Sequence, residues 1–479
     1  MPTQSKIGWR PYVNPSITAS SLWNSIYSVY NADAVGSSSL KTSLYAAYNG
    51  ESNTNDSKGT NNGTAVGGLT YGTGKVGTAF QFNGSNAYVS LPVNNFNFTG
   101  DFSISCWFKT STVSGNQMIF SNLMYNGGAR KGYYIALLGD TVYVWLANTL
   151  SFQQNISTSS IISINTWYNI VVTRESGFVK LYVNNSLIVT DTNAITMEYV
   201  YTTPSIGAYT NGATTMWHFN GIVDALNVWQ KSLTQSEITE LYNSGNGAQY
   251  IGDNFYKPTT NDALNTNNGT AVGGLTYGLG KVGTAFQFNG TNALVSLPDN
   301  SLNLTGDFTV SGWVYVSNSG PQAILENSYY RTTPSYNYSG WGIFIDISGT
   351  STRKLGFIIP RGTTNSYLGW QFETTQLTLN TWNHIVITRV SGVNTYAWIN
   401  NIAQSYITLG PEPSSSININ SVYTSTQKCT IGASNGGTSQ GNFMKSNSQI
   451  DSLTIWNRQL TSEERTQLYN SGNGKQYPN

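Results

Sequence analysis

Two segments with the pattern of β-strands each carry one aspartate among apolar residues. Asp224 and Asp451 alternate with the apolar pairs Leu226 and Val228, and Leu453 and Ile455. Alternate side chains of a strand share one face, so each carboxylate is expected to point into an apolar layer. A charge there has to be paired, hydrogen-bonded or coordinated to a metal. Arg174 and Arg389, in neighbouring apolar segments, are the candidate ion-pair partners. Hydrogen bonds from the backbone are the other structural explanation.

Patterns that indicate catalysis are weak. Residues 437–441 have the Gly-x-Ser-x-Gly spacing of a nucleophile elbow, but they lie in a stretch rich in Gly, Asn and Ser. The strand, elbow and helix context of such a site is missing there. The chain has two histidines, His218 and His384, and two cysteines, Cys106 and Cys429, which is too few for a zinc cluster. We therefore expect no enzyme activity.

The charge balance excludes further classes of protein. Charged residues make up 9% of the 479 residues, and the formal net charge is +1. A nucleic-acid partner is not expected, because binding phosphates needs a basic face. The longest apolar runs are too short to span a bilayer, and residues 1–16 contain no secretory signal pattern. A chain with the neutral, Tyr-rich composition of an extracellular protein but no export signal would fit a virion component that is released by lysis.

A long internal repeat organises the chain. Residues 61–72 return unchanged 206 residues later, at 267–278, and residues 75–84 return at 281–290. Trp107 pairs with Trp313 at the same shift, whereas Asp224 and Asp451 pair at a larger one, so the second copy carries insertions. A repeat of this length indicates two complete domains in tandem. We expect an N-terminal attachment segment at 1–43, a first domain at 44–248 and a second domain at 249–479.

Each copy has the signals of an all-β domain with one helix near its end. Short stretches rich in β-branched and aromatic residues are separated by Gly, Asn and Ser turns, which is typical of a sandwich or jelly roll. Residues 234–237 and 461–464 fit a capping box and predict the start of a helix in each copy.

The order of these motifs resembles a known family. An Asn-Asp-Ser loop is followed by Gly-Lys-Val-Gly-Thr-Ala-Phe-Gln-Phe-Asn-Gly, a Gly-Asp-Phe-Ser strand that ends in Trp107, an Asn-Thr-Trp-Tyr strand, and the strand with Asp224. This order is similar to that of the laminin-G-like, concanavalin A-like lectin/glucanase jelly rolls of bacterial and phage surface proteins. The resemblance covers both copies and implies an all-β fold of two tandem jelly-roll sandwiches with a short N-terminal segment.

The resemblance has consequences for two kinds of site. Glucanases of this superfamily use a Glu-x-Asp-x-x-Glu run, which is absent here, so hydrolysis is not expected. Related domains often hold Ca²⁺ at the rim of the sandwich, with an acidic side chain and backbone carbonyls. The metal alternative for the buried aspartates is therefore a weak calcium site in one or both copies, with ligands from Asp56 and Asp224, and from Asp262 and Asp451.

Aromatic residues are the candidates for sugar recognition, because a flat ring stacks on the apolar face of a pyranose. The tryptophans that recur in both copies are expected to pack in the core. The copy-specific aromatics are the predicted ligand contacts: Tyr125, Trp145 and Trp217 in the first domain, and Tyr329, Tyr330, Trp341 and Trp370 in the second. Packing inside the sandwich is the alternative role for them.

The N-terminal segment is the predicted point of attachment. Leu22, Ile26 and Tyr30 have i, i+4 spacing and predict a short amphipathic helix between Ser20 and Asn31. We expect this segment to dock on other virion proteins and to leave the jelly rolls exposed to glycans. The expected function is that of a phage virion surface protein, a fibre or capsid decoration. The alternatives are a purely structural virion or surface protein whose jelly rolls pack against other proteins and, less favoured, the binding part of a carbohydrate-active enzyme. The alternative location is extracellular or on a cell surface. Without heptads for a coiled coil, a homo-oligomer would be held by domain faces.

Overall fold

The computed structural model describes residues 22–126, 129–148, 153–191, 193–211, 214–331, 337–347, 349, 351–361, 366–409, 428–436 and 439–477. These residues form antiparallel sheets and three short α-helices, which confirms the all-β class. None of the helices in the described ranges is long and apolar enough to span a membrane.

The strands of the N-terminal half, in chain order, are β1 Ile26–Tyr30, β2 Asp33–Val35, β3 Leu44–Tyr48, β4 Thr64–Val66, β5 Thr70–Thr73, β6 Thr78–Asn83, β7 Tyr88–Ser90, β8 Phe102–Thr110, β9 Asn116–Asn126, β10 Ala129–Leu138, β11 Thr141–Ala147, β12 Gln153–Ser157, β13 Tyr168–Glu175, β14 Phe178–Val183, β15 Ser186–Thr190, β16 Ser205–Ile206, β17 Tyr209–Asn211, β18 Thr214–Met216 and β19 Asn220–Trp229.

Those of the C-terminal half are β20 Gln249–Ile251, β21 Asn254–Pro258, β22 Thr270–Val272, β23 Thr276–Leu279, β24 Thr284–Gln287, β25 Leu294–Leu297, β26 Phe308–Tyr315, β27 Gln322–Arg331, β28 Asn337–Ile345, β29 Leu355–Arg361, β30 Ser366–Phe372, β31 Trp382–Val390, β32 Asn394–Ile399, β33 Ile402–Ala403, β34 Tyr406–Leu409, β35 Lys428–Ile431, β36 Ser434–Gly436, β37 Ser439–Gly441 and β38 Gln449–Trp456. The helices are α1 Ser38–Lys41, α2 Gln235–Tyr242 and α3 Ser462–Tyr469.

The first sandwich consists of two stacked sheets. Its front sheet has the order β12-β11-β10-β9-β16-β7-β4, and its back sheet has the order β15-β14-β13-β8-β19-β6-β5, with β3 also paired to β19. Every second side chain of a strand points into the core between the two sheets, as Tyr133, Ile135 and Leu137 of β10 do. The remaining side chains of the front sheet lie on its outer face, away from the core.

The second sandwich repeats this plan. Its front sheet has the order β22-β25-β35-β27-β28-β29-β30-β34, and its back sheet has the order β23-β24-β38-β26-β31-β32-β33.

Both predicted helix starts are confirmed, because Thr234 and Thr461 each complete a capping box with the glutamate three residues later.

The opening strand of the second sandwich lies before the first sandwich in the sequence. Strand β1 pairs with β38 of the second back sheet, as β3 pairs with β19 of the first. The Trp456 indole donates to the Leu22 carbonyl over 2.9 Å, and the Trp229 indole donates to the Leu40 carbonyl over 2.7 Å. Residues 22–33 are thus a near copy of residues 40–51, with Leu, Ser, Tyr, Tyr and Asn at the same five places.

This arrangement corrects two predictions. The helix predicted between Ser20 and Asn31 is wrong over its described part, because Ile26–Tyr30 is a strand. The predicted separate N-terminal segment at 1–43 is also corrected over its described part, since residues 22–33 match residues 40–51 and strand β1 completes the second sandwich. The first sandwich is in effect inserted into the second.

A small sheet joins the two sandwiches. Strand β2 follows the opening strand of the second sandwich and pairs with β21, which pairs in turn with β20 at the end of the first. The Gly77 amide of the first sandwich also donates to the Tyr277 carbonyl of the second over 3.0 Å. The sandwiches are therefore connected by backbone hydrogen bonds as well as by the chain.

Candidate functional site

A cluster of aromatic side chains lies on the outer face of the first front sheet. Tyr134 of β10 is at its centre, with ring centroids 5.4 Å from Trp145 and 6.2 Å from Tyr143, both in stacked geometry. Trp217, from the turn after β18, meets the Tyr134 ring edge-on at 6.0 Å. Such offset and edge-on contacts are the preferred arrangements of aromatic rings.

Strand register explains why these rings meet. Tyr134 is opposite Trp145 in the β10 and β11 pair, and Ala136 is opposite Tyr143. The residues between them, such as Val144, point into the core, so the aromatic residues share the outer face. Trp145 and Tyr134 are 4% and 8% exposed, whereas Tyr143 and Trp217 are half-buried. A ligand would reach the cluster through Tyr143 and Trp217.

The backbone at Trp217 is strained. Its φ of 57° lies in the left-handed region, which a bulky side chain rarely adopts, and its carbonyl accepts the Met118 amide over 2.7 Å. Strain of this kind costs roughly 1–3 kcal/mol and is concentrated at binding sites. Burial raises the pKa of Tyr143 and raises the pKa of Tyr134 to about 12, so both hydroxyls keep their protons at neutral pH.

Two of the sequence-predicted residues, Trp145 and Trp217, are therefore brought together. Tyr134 and Tyr143 were missed, although Tyr143 alternates with Trp145 and is out of phase with the core residues of β11. Tyr125 lies in β9, and its side chain is outside the described residues.

Among the described residues of the second sandwich, no such cluster lies at the same place. Strand register puts Gly342, Ile358 and Gly356 where the first sandwich has Tyr134, Trp145 and Tyr143. Trp341 and Trp370 are fully buried in the core, so the prediction that they contact ligand is corrected. Tyr329 and Tyr330 lie in β27, and their side chains are outside the described residues.

The strand aspartates are held by backbone amides. One oxygen of Asp224 accepts the Lys75 and Val76 amides over 2.7 and 2.9 Å, and Asp451 accepts the Val282 amide over 2.8 Å. The predicted ion pair with arginine is wrong for Asp224, because Arg174 donates instead to the carbonyls of Gly100 and Ile195. Backbone bonding was the alternative, and it is confirmed.

The loop aspartates are also enclosed by hydrogen-bond donors. Asp56 accepts five hydrogen bonds, from the amides of Ala47, Lys58, Thr60 and Asn61 and from the Asn61 side chain. Asp262 accepts four in the equivalent loop. Ca²⁺ needs six or more oxygen ligands, and N–H groups cannot supply them. The oxygens of Asp56 and Asp262 are therefore used by hydrogen-bond donors, which does not fit a calcium site with ligands from these two loops.

A second carboxylate lies beside each strand aspartate, the half-buried Glu51 and the buried Asp33, and sequence reasoning missed both. Glu51 accepts the Gln249 amide side chain over 2.8 Å, and Asp33 accepts that of Gln476 over 2.7 Å. Burial raises the pKa of Glu51 and raises the pKa of Asp33 well above its usual value. Burial likewise raises the pKa of Asp451 to about 7. The match between residues 22–33 and 40–51, which aligns Asp33 with Glu51, is the signal that could have found them.

His384 is buried in the second back sheet, where the first sandwich has Asn169. Its Nε2 is 2.9 Å from the Ser311 hydroxyl, and burial lowers its pKa to about 3. The folded chain thus keeps His384 neutral, while the unfolded chain protonates it below about pH 6.5. The stability that neutral His384 contributes is complete above pH 6.5 and is lost as the pH falls towards 3.

Replacing His384 with asparagine should remove this pH dependence. From pH 7 to pH 5, the unfolding free energy of the original chain relative to H384N should fall by about 2 kcal/mol. Asp451 has the opposite pH dependence because its pKa is raised, but it is present in both chains and cancels. Urea unfolding at the two pH values measures the difference. If the difference in unfolding free energy between the two chains were the same at pH 7 and pH 5, His384 would not have the lowered pKa.

Comparison with protein families agrees with this fold. The sequence matches the family described as the concanavalin A-like lectin/glucanases superfamily over residues 83–239 and 289–464. A search of the curated proteins finds no significant match.

Similar solved structures include domain 4 of AbnA, a GH43 extracellular arabinanase from Geobacillus stearothermophilus, in complex with arabinotriose. It is 22% identical, covers 41% of this chain and 97% of that domain, and has a TM-score of 0.34. The CBM40 of Ruminococcus gnavus IT-sialidase, bound to α2,3 sialyllactose, is 17% identical, with 30% and 82% covered and a TM-score of 0.28. The binding domain of botulinum neurotoxin DC, in complex with SialylT, is 14% identical, with 87% and 94% covered and a TM-score of 0.35. Since the family match spans most of both sandwiches, the chain belongs to the concanavalin A-like lectin/glucanase superfamily.

Proposed function

We propose that the chain is a non-enzymatic glycan-binding protein whose first sandwich binds a sugar on the aromatic cluster of Tyr134, Tyr143, Trp145 and Trp217. The observation that carries the proposal is this cluster, which lies on an outer sheet face and has no equivalent among the described residues on the same face of the second sandwich. A half-buried indole offers a flat apolar surface to a pyranose ring, and a protonated tyrosine hydroxyl offers a hydrogen-bond donor.

Truncation of the two accessible rings tests this site. We expect Trp217→Ala and Tyr143→Ala each to weaken binding of a glycan selected on an array by about tenfold or more, as for a central aromatic contact. Tyr396→Ala is the control, because this ring is 41% exposed in the second sandwich and lies outside the cluster. Binding constants from calorimetric titration give the comparison. Equal affinity in all four chains would contradict the site.

The setting that we propose is a virion surface, with the chain acting as a phage fibre or capsid decoration. The small share of charged residues, 9%, supports contact with neutral or weakly charged partners such as glycans. Copurification of the protein with virus particles tests the setting separately from the sugar site. Particles that carry the protein while it binds no glycan would favour the alternative function, packing between virion proteins.

A further inference from the structure

A groove at one end of the second sandwich has the chemistry of a second binding site. Its volume is about 590 Å³, and it lies between the loops that follow β24 and β26 and those that precede β31 and β38. Tyr315, Asn318, Asn380, Lys445 and Asn447 are among its lining residues. None of them belongs to the aromatic cluster of the first sandwich.

Several polar side chains of this groove carry donors that meet no acceptor in the described part of the chain. The side-chain nitrogen of Asn318 donates to no acceptor in the described residues. Its side-chain oxygen accepts the Ser319 backbone amide over 2.8 Å. The side-chain nitrogen of Asn447 likewise donates to no acceptor in the described residues, because the Gln287 side chain donates to the Asn447 side-chain oxygen. Asn289 differs, as its oxygen accepts several amides of its own turn, starting with that of Thr291. The open donors therefore come from two of the groove's loops, the one after β26 and the one before β38.

Charge and shape narrow the class of ligand. Lys445 makes no ion pair within the described ranges, and only its backbone is hydrogen-bonded, to Gln322 and Ser448. Tyr315 is half-buried and is held edge-on against Trp382 with ring centroids 5.7 Å apart, so it forms a fixed aromatic wall. A cation with several amide donors favours an anion rich in oxygen, and an aromatic wall favours a sugar ring.

The first sandwich lacks this combination. At the place of Tyr315 it has Lys109, whose ammonium lies over the Trp167 ring at 5.0 Å. Its loop before β19 is also shorter than the loop before β38, which contributes Lys445 and Asn447. The groove is therefore specific to the second copy.

We propose that this groove binds an acidic sugar, with the sugar ring against Tyr315, the carboxylate near Lys445 and the hydroxyl groups on the asparagine amides. The site is independent of the proposed site in the first sandwich.

D-glucuronate and D-glucose are the probes, because they differ only in the carboxylate. In ligand-detected NMR titrations of the full chain, D-glucuronate should bind about three- to fivefold more tightly than D-glucose, as expected for one exposed charge pair. Lys445→Met should abolish this preference, and Tyr315→Ala should weaken binding of both sugars. Lys475→Met removes the same charge elsewhere in the second sandwich and should have no effect.

The possible outcomes are distinct. Trp217→Ala should leave glucuronate binding unchanged, so failure of the first-sandwich proposal does not affect this test. The proposal is overturned if glucuronate does not bind at millimolar concentrations, or if Lys445→Met keeps the preference. It is also overturned if acetate binds as tightly as glucuronate, which would identify a simple anion site.

Discussion

A chain that lacks residues 1–36 should contain one folded sandwich instead of two. The deletion removes strand β1 from the edge of β38 and takes Tyr30, which is fully buried, out of the second core. Loss of one large buried side chain alone costs about 3–5 kcal/mol, comparable to a large part of a domain's stability. The first sandwich keeps its own opening strand, β3.

The deletion also leaves polar groups of the second sandwich without partners. The Trp456 indole loses the Leu22 carbonyl, Gln476 loses Asp33, and Asp262 loses the Val29 amide. A buried polar group without a partner costs about 1–3 kcal/mol. These losses add to the missing strand, so we expect the second sandwich to unfold as a unit.

Limited proteolysis with mass spectrometry measures this result. The truncated chain should yield a resistant fragment near residues 38–258 and rapid cleavage beyond it. Deletion of residues 1–20 is the matched control, because it leaves every described contact of β1 in place. A peptide of residues 20–36 should restore protection of the second sandwich when it is added. Equal protection of both sandwiches without the peptide would show that β1 is dispensable.

The long repeat made the fold predictable, but the opening strand shows the limit of periodicity. Ile26 and Tyr30 are four residues apart, and a spacing of four places two side chains on one face of a helix and also on one face of a strand. The helix prediction rested on that ambiguous spacing. The match between residues 22–33 and 40–51 would have decided it, because a segment that resembles an opening strand is expected to form one.

The candidate site likewise has features that the sequence could predict and one that it could not. Trp341 alternates with Ile343 and Ile345, so the sequence already indicated that it belongs to the core face. Trp145 is two residues from Tyr143 and out of phase with the apolar core residues of β11, so the sequence indicated that both rings lie on the outer face of the sheet. Contact with Trp217 could not be predicted in this way, because it depends on how the turn after β18 packs on the sheet.

Substitution of the loop aspartates should be among the most destabilising changes in the chain. Asp56 and Asp262 are 3% and 1% exposed, and each carboxylate holds its loop through at least four hydrogen bonds. Hydrogen bonds to a charged group contribute about 1.5–3 kcal/mol each, and their donors would be left buried. We expect Asp56→Ala and Asp262→Ala each to lower the unfolding free energy by about 3–5 kcal/mol.

The same measurement separates a turn-forming role from a calcium-binding role. Because the carboxylates are surrounded by N–H donors, chelator should not change the urea midpoint of the original chain, whereas either alanine variant should lower it strongly. Asp191→Ala is the control, since within the described ranges Asp191 accepts hydrogen bonds from Asn193 alone, and its loss should cost less than about 1 kcal/mol. If chelator lowered the midpoint as much as Asp262→Ala does, the loops would be metal sites after all. Asp262→Ala should also increase proteolysis of the second sandwich, because Asp262 accepts the Val29 amide of that sandwich's opening strand. Asp56→Ala should do the same in the first sandwich, where Asp56 accepts the Ala47 amide of β3.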